Sequence, residues 1–147
     1  MDRRLTPALF VPKRPTEEDR AAILAPLAAF NLRHTEPGAT GSLAILLQDE
    51  AGKAVGGLWG ATIFGWLEIE LLFVPQEMRG RSLGTAVMNR AEALARKGGC
   101  VGAWLDTYSF QARGFYEKLG YVLAGTIEDC PPGGARYFMQ KRFPSRS

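Results

Sequence analysis

A chain of 147 residues with 46% hydrophobic content is long enough to bury a core by itself, and its two cysteines (Cys100 and Cys130) and single histidine indicate neither a disulfide framework nor a histidine-rich metal site. The formal net charge of +3 is modest and its arginines are dispersed (Arg3, Arg4, Arg14, Arg20, Arg142, Arg146), which argues for solvated surface charge, suited at most to an anionic ligand, and against nucleic-acid binding. The longest uncharged run, Ala54 to Leu67, is too short to span a bilayer and holds four glycines, and the N-terminus has no apolar signal core, so the expectation is one cytoplasmic domain, residues 1–147, with no membrane partner.

Thr16 followed by Glu17, Glu18 and Asp19 reads as an N-cap with an acidic first turn, leading into apolar Ile23, Leu24, Leu27 and Phe30. Pro26 is expected to break or kink that helix. Ser42 to Gln48 and Ala54 to Ile63 form a hairpin around Gly52, and Gly65 turns the chain into a third strand, Trp66 to Val74, ended by Pro75. From about Ser82 the apolar positions Leu83, Val87, Met88, Ala91, Leu94 and Ala95 recur at helical spacing until Gly98-Gly99. Then come a strand (Cys100 to Asp106), a short helix (Phe110 to Lys118) closed by Gly120, and two strands, Tyr121 to Thr126 and Arg136 to Phe143, around Pro131-Pro132-Gly133-Gly134. This order is α/β, with a mixed, mostly antiparallel sheet flanked by helices.

The turn from Arg79 to Thr85 joins the apolar third strand to the central helix. A helix start leaves backbone N–H groups without intrahelical partners and carries partial positive charge, so it is a natural seat for a pyrophosphate. Ser82 and Gly84 do little to shield those amides, Arg79 and Arg81 add charge, Thr85 offers a hydroxyl, and Ser82 is positioned to cap the helix. The P-loop does not fit, because Thr85-Ala86 stands where Lys-Ser/Thr is needed, and the dinucleotide fingerprint lacks its third glycine. The segment resembles the acyl-CoA loop of the GNAT superfamily of N-acetyltransferases, Gln/Arg-x-x-Gly-x-Gly/Ala, with Arg79 first, Gly84 last and Ser82 in place of the middle glycine. A second family pattern, Asn-x-x-Ala-x-x-x-Tyr-x-x-x-Gly-Phe/Tyr, is matched by Ala112, Tyr116, Gly120 and Tyr121, with Ser109 replacing the asparagine. The two motifs stand in the family's order, and the resemblance covers Ser42 to Phe143.

This resemblance implies a splayed strand pair that takes acetyl-CoA as co-substrate, without a metal. It implies that the backbone of Leu72, Phe73 and Val74 pairs with the pantetheine arm. Arg79, Gly80, Arg81, Ser82, Leu83, Gly84 and Thr85 would hold the pyrophosphate, with Ser109, Ala112 and Phe115 completing the cofactor wall. Tyr116 would protonate the departing thiolate. Glu70, or else Glu68, would serve as general base; the two alternate on one face of an otherwise apolar strand, where surface carboxylates are equally at home. For the acceptor, a small-molecule or peptide amine, the candidates are Asn31, His34, Trp66, Asp106, Tyr108 and Gln111, with Trp59, Trp104 and the Glu128 to Arg136 loop beside them. Homodimers are frequent among such proteins. The alternative reading is a non-catalytic acyl-CoA sensor, against which the retained Tyr116 argues.

Overall fold

A computed structural model describes residues 7–145, so Arg3, Arg4 and Arg146 lie outside the described residues. The chain divides into two compact units, Met1–Glu36 and Pro37–Ser147. In the first, α1 spans Glu17–Leu32. Its start is a reciprocal capping box: Asp19 N–H donates to Thr16 Oγ1 (3.1 Å), and Thr16 N–H donates to Asp19 Oδ2 (2.8 Å). The helix runs through Pro26 without the expected break. A proline forfeits one hydrogen bond, and here strong helix formers on both sides (Ala21, Ala22, Leu24, Ala25, Leu27, Ala28) and the capped start carry the helix past it. At its far end His34 N–H donates to the Asn31 carbonyl (3.0 Å).

The second unit is one six-stranded sheet with two helices. Its strands are β1 (Gly41–Gln48), β2 (Ala54–Ile63), β3 (Trp66–Phe73), β4 (Gly102–Tyr108), β5 (Val122–Glu128) and β6 (Ala135–Arg142), in the order β1-β2-β3-β4-β6-β5. All neighbours are antiparallel except β3 and β4, because α2 (Leu83–Lys97) forms the crossover between those two. The helical spacing read from the sequence gives α2 its inward face, with Val87, Met88, Ala91 and Ala95 buried. These residues share a core with Leu58, Leu67, Ile69, Ala103, Leu105 and Met139 of four strands. The apolar area removed from water there is the main stabilising term, at roughly 25 cal/mol per Å².

β5 runs Val122–Glu128 rather than Tyr121 to Thr126, and two other elements shift from their expected bounds for local reasons. β4 starts at Gly102 rather than Cys100, since Cys100 N–H closes the end of α2 on the Ala95 carbonyl (3.0 Å). α3 is only Arg113–Lys118. Gln111 Oε1 accepts from Tyr108 N–H (2.9 Å) and Thr107 Oγ1 (3.2 Å), which ties Phe110 and Gln111 into a turn before the helix begins.

Two irregularities of β3 create the feature that matters for function. The β2–β3 ladder pairs Trp59 with Leu71 but Gly60 with Ile69, so Glu70 is an extra, bulged residue. The bulge reverses the facing of everything after it: Leu72 packs on the core, while Leu71 is 61% exposed. Beyond it β3 also loses its other neighbour. The β3–β4 ladder ends at Ile69↔Leu105, yet β3 continues to Phe73 beside β2, and β4 continues to Tyr108 beside β6. The two strands part like the arms of a V.

Candidate active site

The opening of this V is a groove of about 900 Å³. Residues 69–74 of β3 and its exit form one wall, Leu105, Asp106 and Thr107 of β4 the other, the Met78–Thr85 turn one end, and Phe110, Gln111, Ala112, Phe115 and Tyr116 the rim contributed by α3 and the turn before it. A strand edge without a strand partner leaves backbone N–H and C=O groups available to a ligand.

The turn is shaped by its backbone. After a single 3-10 turn, Gln76–Met78, Gly80 has φ +81° and Ser82 φ +56°, two left-handed residues that bring the first amides of α2 round to the groove. Ser82 occupies the N-cap position, but its side chain makes no capping hydrogen bond. In the left-handed conformation it departs from the extended backbone from which an N-cap hydroxyl reaches the N2 or N3 amide, and the helix start keeps its donors for another acceptor. Arg79 folds back, its Nε–H donating to the Val74 carbonyl (3.0 Å), so it staples the turn to the end of β3 while lining the groove. Gly84 has two reasons to be glycine. It bares an amide in the first turn of α2, and a Cβ there would stand 3.2 Å from Cζ of Phe115, so the helix start and α3 approach each other over it.

The chemistry-bearing side chains gather where the strands first separate. Glu70 and Asp106 are the residues immediately after the last β3–β4 pair, Ile69 and Leu105, and both line the groove. Glu70 is exposed. Asp106 is held by Arg136 of β6, whose Nε–H donates to Asp106 Oδ2 at 2.8 Å, and the Arg136 guanidinium lies over the rings of Tyr108 (5.6 Å) and Phe138 (5.1 Å). Tyr116 lines the same groove, with its ring edge-on to Phe115 (centroids 5.1 Å apart) and to Tyr121 (6.1 Å). Burial raises the Tyr116 phenol above the ordinary tyrosine pKa, and the Asp106 charge adds to the shift. A phenol so placed stays protonated at neutral pH and is a proton donor.

Of the cofactor residues expected from sequence, Leu72, Phe73, Val74, Arg79, Gly80, Ser82, Leu83, Gly84, Thr85, Ala112 and Phe115 line the groove; Arg81 and Ser109 do not. Ser109 instead bridges to β6, its Oγ accepting from Ala135 N–H (3.0 Å). Glu70 is in the groove and Glu68 is outside it: Glu68 lies where β3 is still paired with β4, opposite Trp104, whereas Glu70 follows the last pair. Among the acceptor candidates Asp106 and Gln111 line the groove. Tyr108 stands behind it, stacked on Phe110 (5.5 Å, 7° between planes). Trp66 sits at the closed end of the V, opposite Gly102 in the ladder, with its ring 2.6 Å from where a Gly102 Cβ would stand and Arg142 above it (5.4 Å). Asn31 and His34 belong to the first unit, where the His34 ring packs on Phe30 (4.5 Å). Sequence reasoning missed Ile69, Leu71, Met78, Leu105, Thr107 and Phe110 as lining residues; the proximity of Phe110 to the Ala112–Tyr116 motif was the available signal.

Residues 5–121 match the acetyltransferase (GNAT) family. An acetyltransferase of Agrobacterium fabrum is 36% identical over 126 residues, 86% of this chain and 92% of the relative. The blasticidin-S acetyltransferase of Streptomyces morookaense is 44% identical over 93 residues, 63% of this chain and 68% of the relative. Among solved structures, one from Agrobacterium tumefaciens superposes with a TM-score of 0.87 at 34% identity, covering 92% of this chain and 99% of that one.

Proposed function

Since this chain belongs to the acetyltransferase (GNAT) family and is an acetyl-transferring enzyme, we propose that it transfers acetyl from acetyl-CoA to a primary amine by direct attack within a ternary complex. The observation that carries this reading is the parting of β3 from β4 after Ile69 and Leu105, with the start of α2 at one end of the gap and Tyr116 on its rim. The residues present fit acetyl-CoA: an open strand edge for an amide-bearing arm, bare helix-start amides for a pyrophosphate, and a groove of about 900 Å³. The backbone of Leu72, Phe73 and Val74 is offered to the pantetheine amides, and the amides of Leu83, Gly84 and Thr85, with Arg79 beside them, to the pyrophosphate. Bound acetyl-CoA supplies an activated thioester.

The chain's own residues then orient and move protons. Fixing amine and acyl donor in one groove removes much of the entropic barrier to their meeting. An amine of pKa about 10.4 costs roughly 4 to 5 kcal/mol to deprotonate at pH 7. Glu70, at the apex of the V where the strands first separate, is the base for that proton, directly or through a water. Tyr116 donates its phenolic proton to the thiolate as it departs. The Tyr116 position also supports turnover over the sensor alternative, for which a proton donor on the groove would be idle. A relative named for acetylating blasticidin S supports a small-molecule acceptor over a protein one. Homodimerisation is a separate proposal, tested by sedimentation.

Release of free CoA, measured across a panel of small-molecule amines and peptides, tests the reading. Amine-dependent release that falls at least 10-fold in Tyr116→Phe is expected. Acetyl-CoA binding without release on any amine would return the sensor alternative.

A further inference from the structure

Tyr116 stands on an element that cannot hold itself in place. α3 has six residues, its N-cap Ala112 makes no side-chain capping bond, and none of its residues is buried. Helices this short are unstable unless tertiary contacts fix them. Phe115 and Tyr116 pack on the core and the Arg113 guanidinium lies over the Tyr137 ring (4.6 Å), and Tyr116 is further fixed by Tyr121, just beyond the helix and 2% exposed. Tyr121 N–H donates to the Tyr116 carbonyl (3.1 Å), and its ring meets the Tyr116 ring edge-on, with centroids 6.1 Å apart and planes at 74°.

Tyr121 is itself held by charges from two other elements. Its hydroxyl donates to Glu92 Oε2 of α2 at 2.9 Å, and Lys141 Nζ of β6 is 2.7 Å from Glu92 Oε1 and 5.7 Å from the centre of the Tyr121 ring. Glu92 is only 9% exposed and lies in the middle of an otherwise apolar helix face. A buried carboxylate is costly unless its acceptors are filled, and here one oxygen is filled by the ammonium and the other by the phenol. Burial, with the Glu92 charge and hydrogen bond, pushes the Tyr121 phenol far above its ordinary pKa, so it remains the donor and the network has one polarity. None of the three residues lines the groove.

We propose that Tyr121, anchored by Glu92 and Lys141, is a positioning residue for acetyl transfer: it sets the ring of Tyr116, and hence the hydroxyl that meets the leaving sulfur. The inference rests on the proton-donor role of Tyr116. The chain of contacts runs from α2 and β6 through one hydroxyl to the six-residue helix. Freed of that hydroxyl bond, the Tyr121 ring keeps its volume but loses its fixed orientation, and the ring packed against it follows. Displacements of about 1 Å in a catalytic group are enough to cost rate.

A double-mutant cycle tests this. Tyr121→Phe is expected to lower kcat about 10-fold, with KM for acetyl-CoA changed less than twofold. In the Tyr116→Phe background it should produce no further loss, because the group it positions is gone. Equal loss in both backgrounds would make Tyr121 a general structural residue and overturn the proposal, as would an undiminished kcat in Tyr121→Phe. Should that variant not fold, Glu92→Met, which keeps the volume and removes both acceptor oxygens, runs the same cycle with the same expectations. Tyr116→Phe alone separates the two ideas: a wild-type kcat there removes the donor role and the positioning role with it, whereas a loss there combined with additivity in the cycle removes only the positioning role.

Discussion

Glu70 and Asp106 share the apex of the V, yet only Glu70 is left without an ion-pair partner among the described residues. Asp106 is committed to Arg136 at 2.8 Å, whereas Glu70 is exposed in the groove and has no ion pair among the described residues. Glu70→Gln is therefore expected to lose activity most at low pH and with high-pKa amines, with acetyl-CoA affinity near wild type, while Glu68→Gln stays close to wild type. Rate profiles from pH 6 to 9 for both variants check this; equal profiles would assign the proton to water. Tyr116→Phe removes one oxygen and keeps the ring. Its kcat should fall roughly 10- to 1,000-fold with little change in KM for acetyl-CoA, since a bond made mainly in the transition state is lost. An acyl thioester with a more acidic thiol should partly rescue it, because the better leaving group needs less proton donation.

The turn from β3 into α2 was expected to use small side chains to expose amides, and its geometry adds a conformational demand. Ser82 sits in the left-handed region at φ +56°, which costs an L-residue on the order of 1 kcal/mol. Ser82→Gly should therefore stabilise the protein by at most about 0.5 kcal/mol in chemical denaturation, net of glycine's added freedom when unfolded, and should keep the rise in Tm caused by CoA. Gly84 behaves differently. Gly84→Ala brings a methyl against the Phe115 ring, which has to yield by a few tenths of an ångström, while Gly84→Glu adds bulk and negative charge among the helix-start amides. The glutamate variant should lose the CoA-induced Tm shift entirely, and the alanine variant should retain part of it. Thermal melts with and without CoA distinguish the two effects, and full CoA affinity in Gly84→Glu would remove the pyrophosphate from this turn.

Across the whole molecule, Tyr116 on the rim of the groove and Tyr121 packed edge-on behind it set an alkaline limit. Both phenols have folded-state pKa values above the usual tyrosine value near 10. Above pH 10 the folded chain thus holds more protons than the unfolded one. Their contribution to stability is fully present below pH 10 and is lost as pH rises beyond it toward the folded values. Unfolding free energy should be insensitive to these groups up to about pH 10 and then decline, and Tyr121→Phe should show a shallower decline, as read from urea titrations at successive pH values. The same shift keeps Tyr116 protonated from pH 6 to 9, so no alkaline loss of kcat in that range belongs to it.

Short-range chemistry was legible in the chain from the start. The capping box at Thr16 and Asp19, the periodicity of Leu83 to Ala95 and the glycine turn before it each depend on residues within a few positions of one another, and the residues of the two motifs are neighbours in sequence too. Even the order of strands and helices follows, since each element announces itself locally. What the tertiary structure decided are the relations between segments far apart in the chain. The extra residue at Glu70 exists only relative to the ladder with Trp59 and Gly60, and Glu68 stays out of the groove because β3 is still paired with β4 there, opposite Trp104. The parting of β3 from β4 depends on β4 following β6 rather than β3 after Leu105. Asp106 is neutralised by Arg136, 30 residues away, and Tyr121 is anchored by Glu92, 29 residues away. Trp66, at the start of the same strand as Glu70, ends at the closed end of the V against Gly102. Register and burial are cooperative outcomes of packing the whole sheet on α2, and no local pattern encodes which carboxylate will be left without a partner.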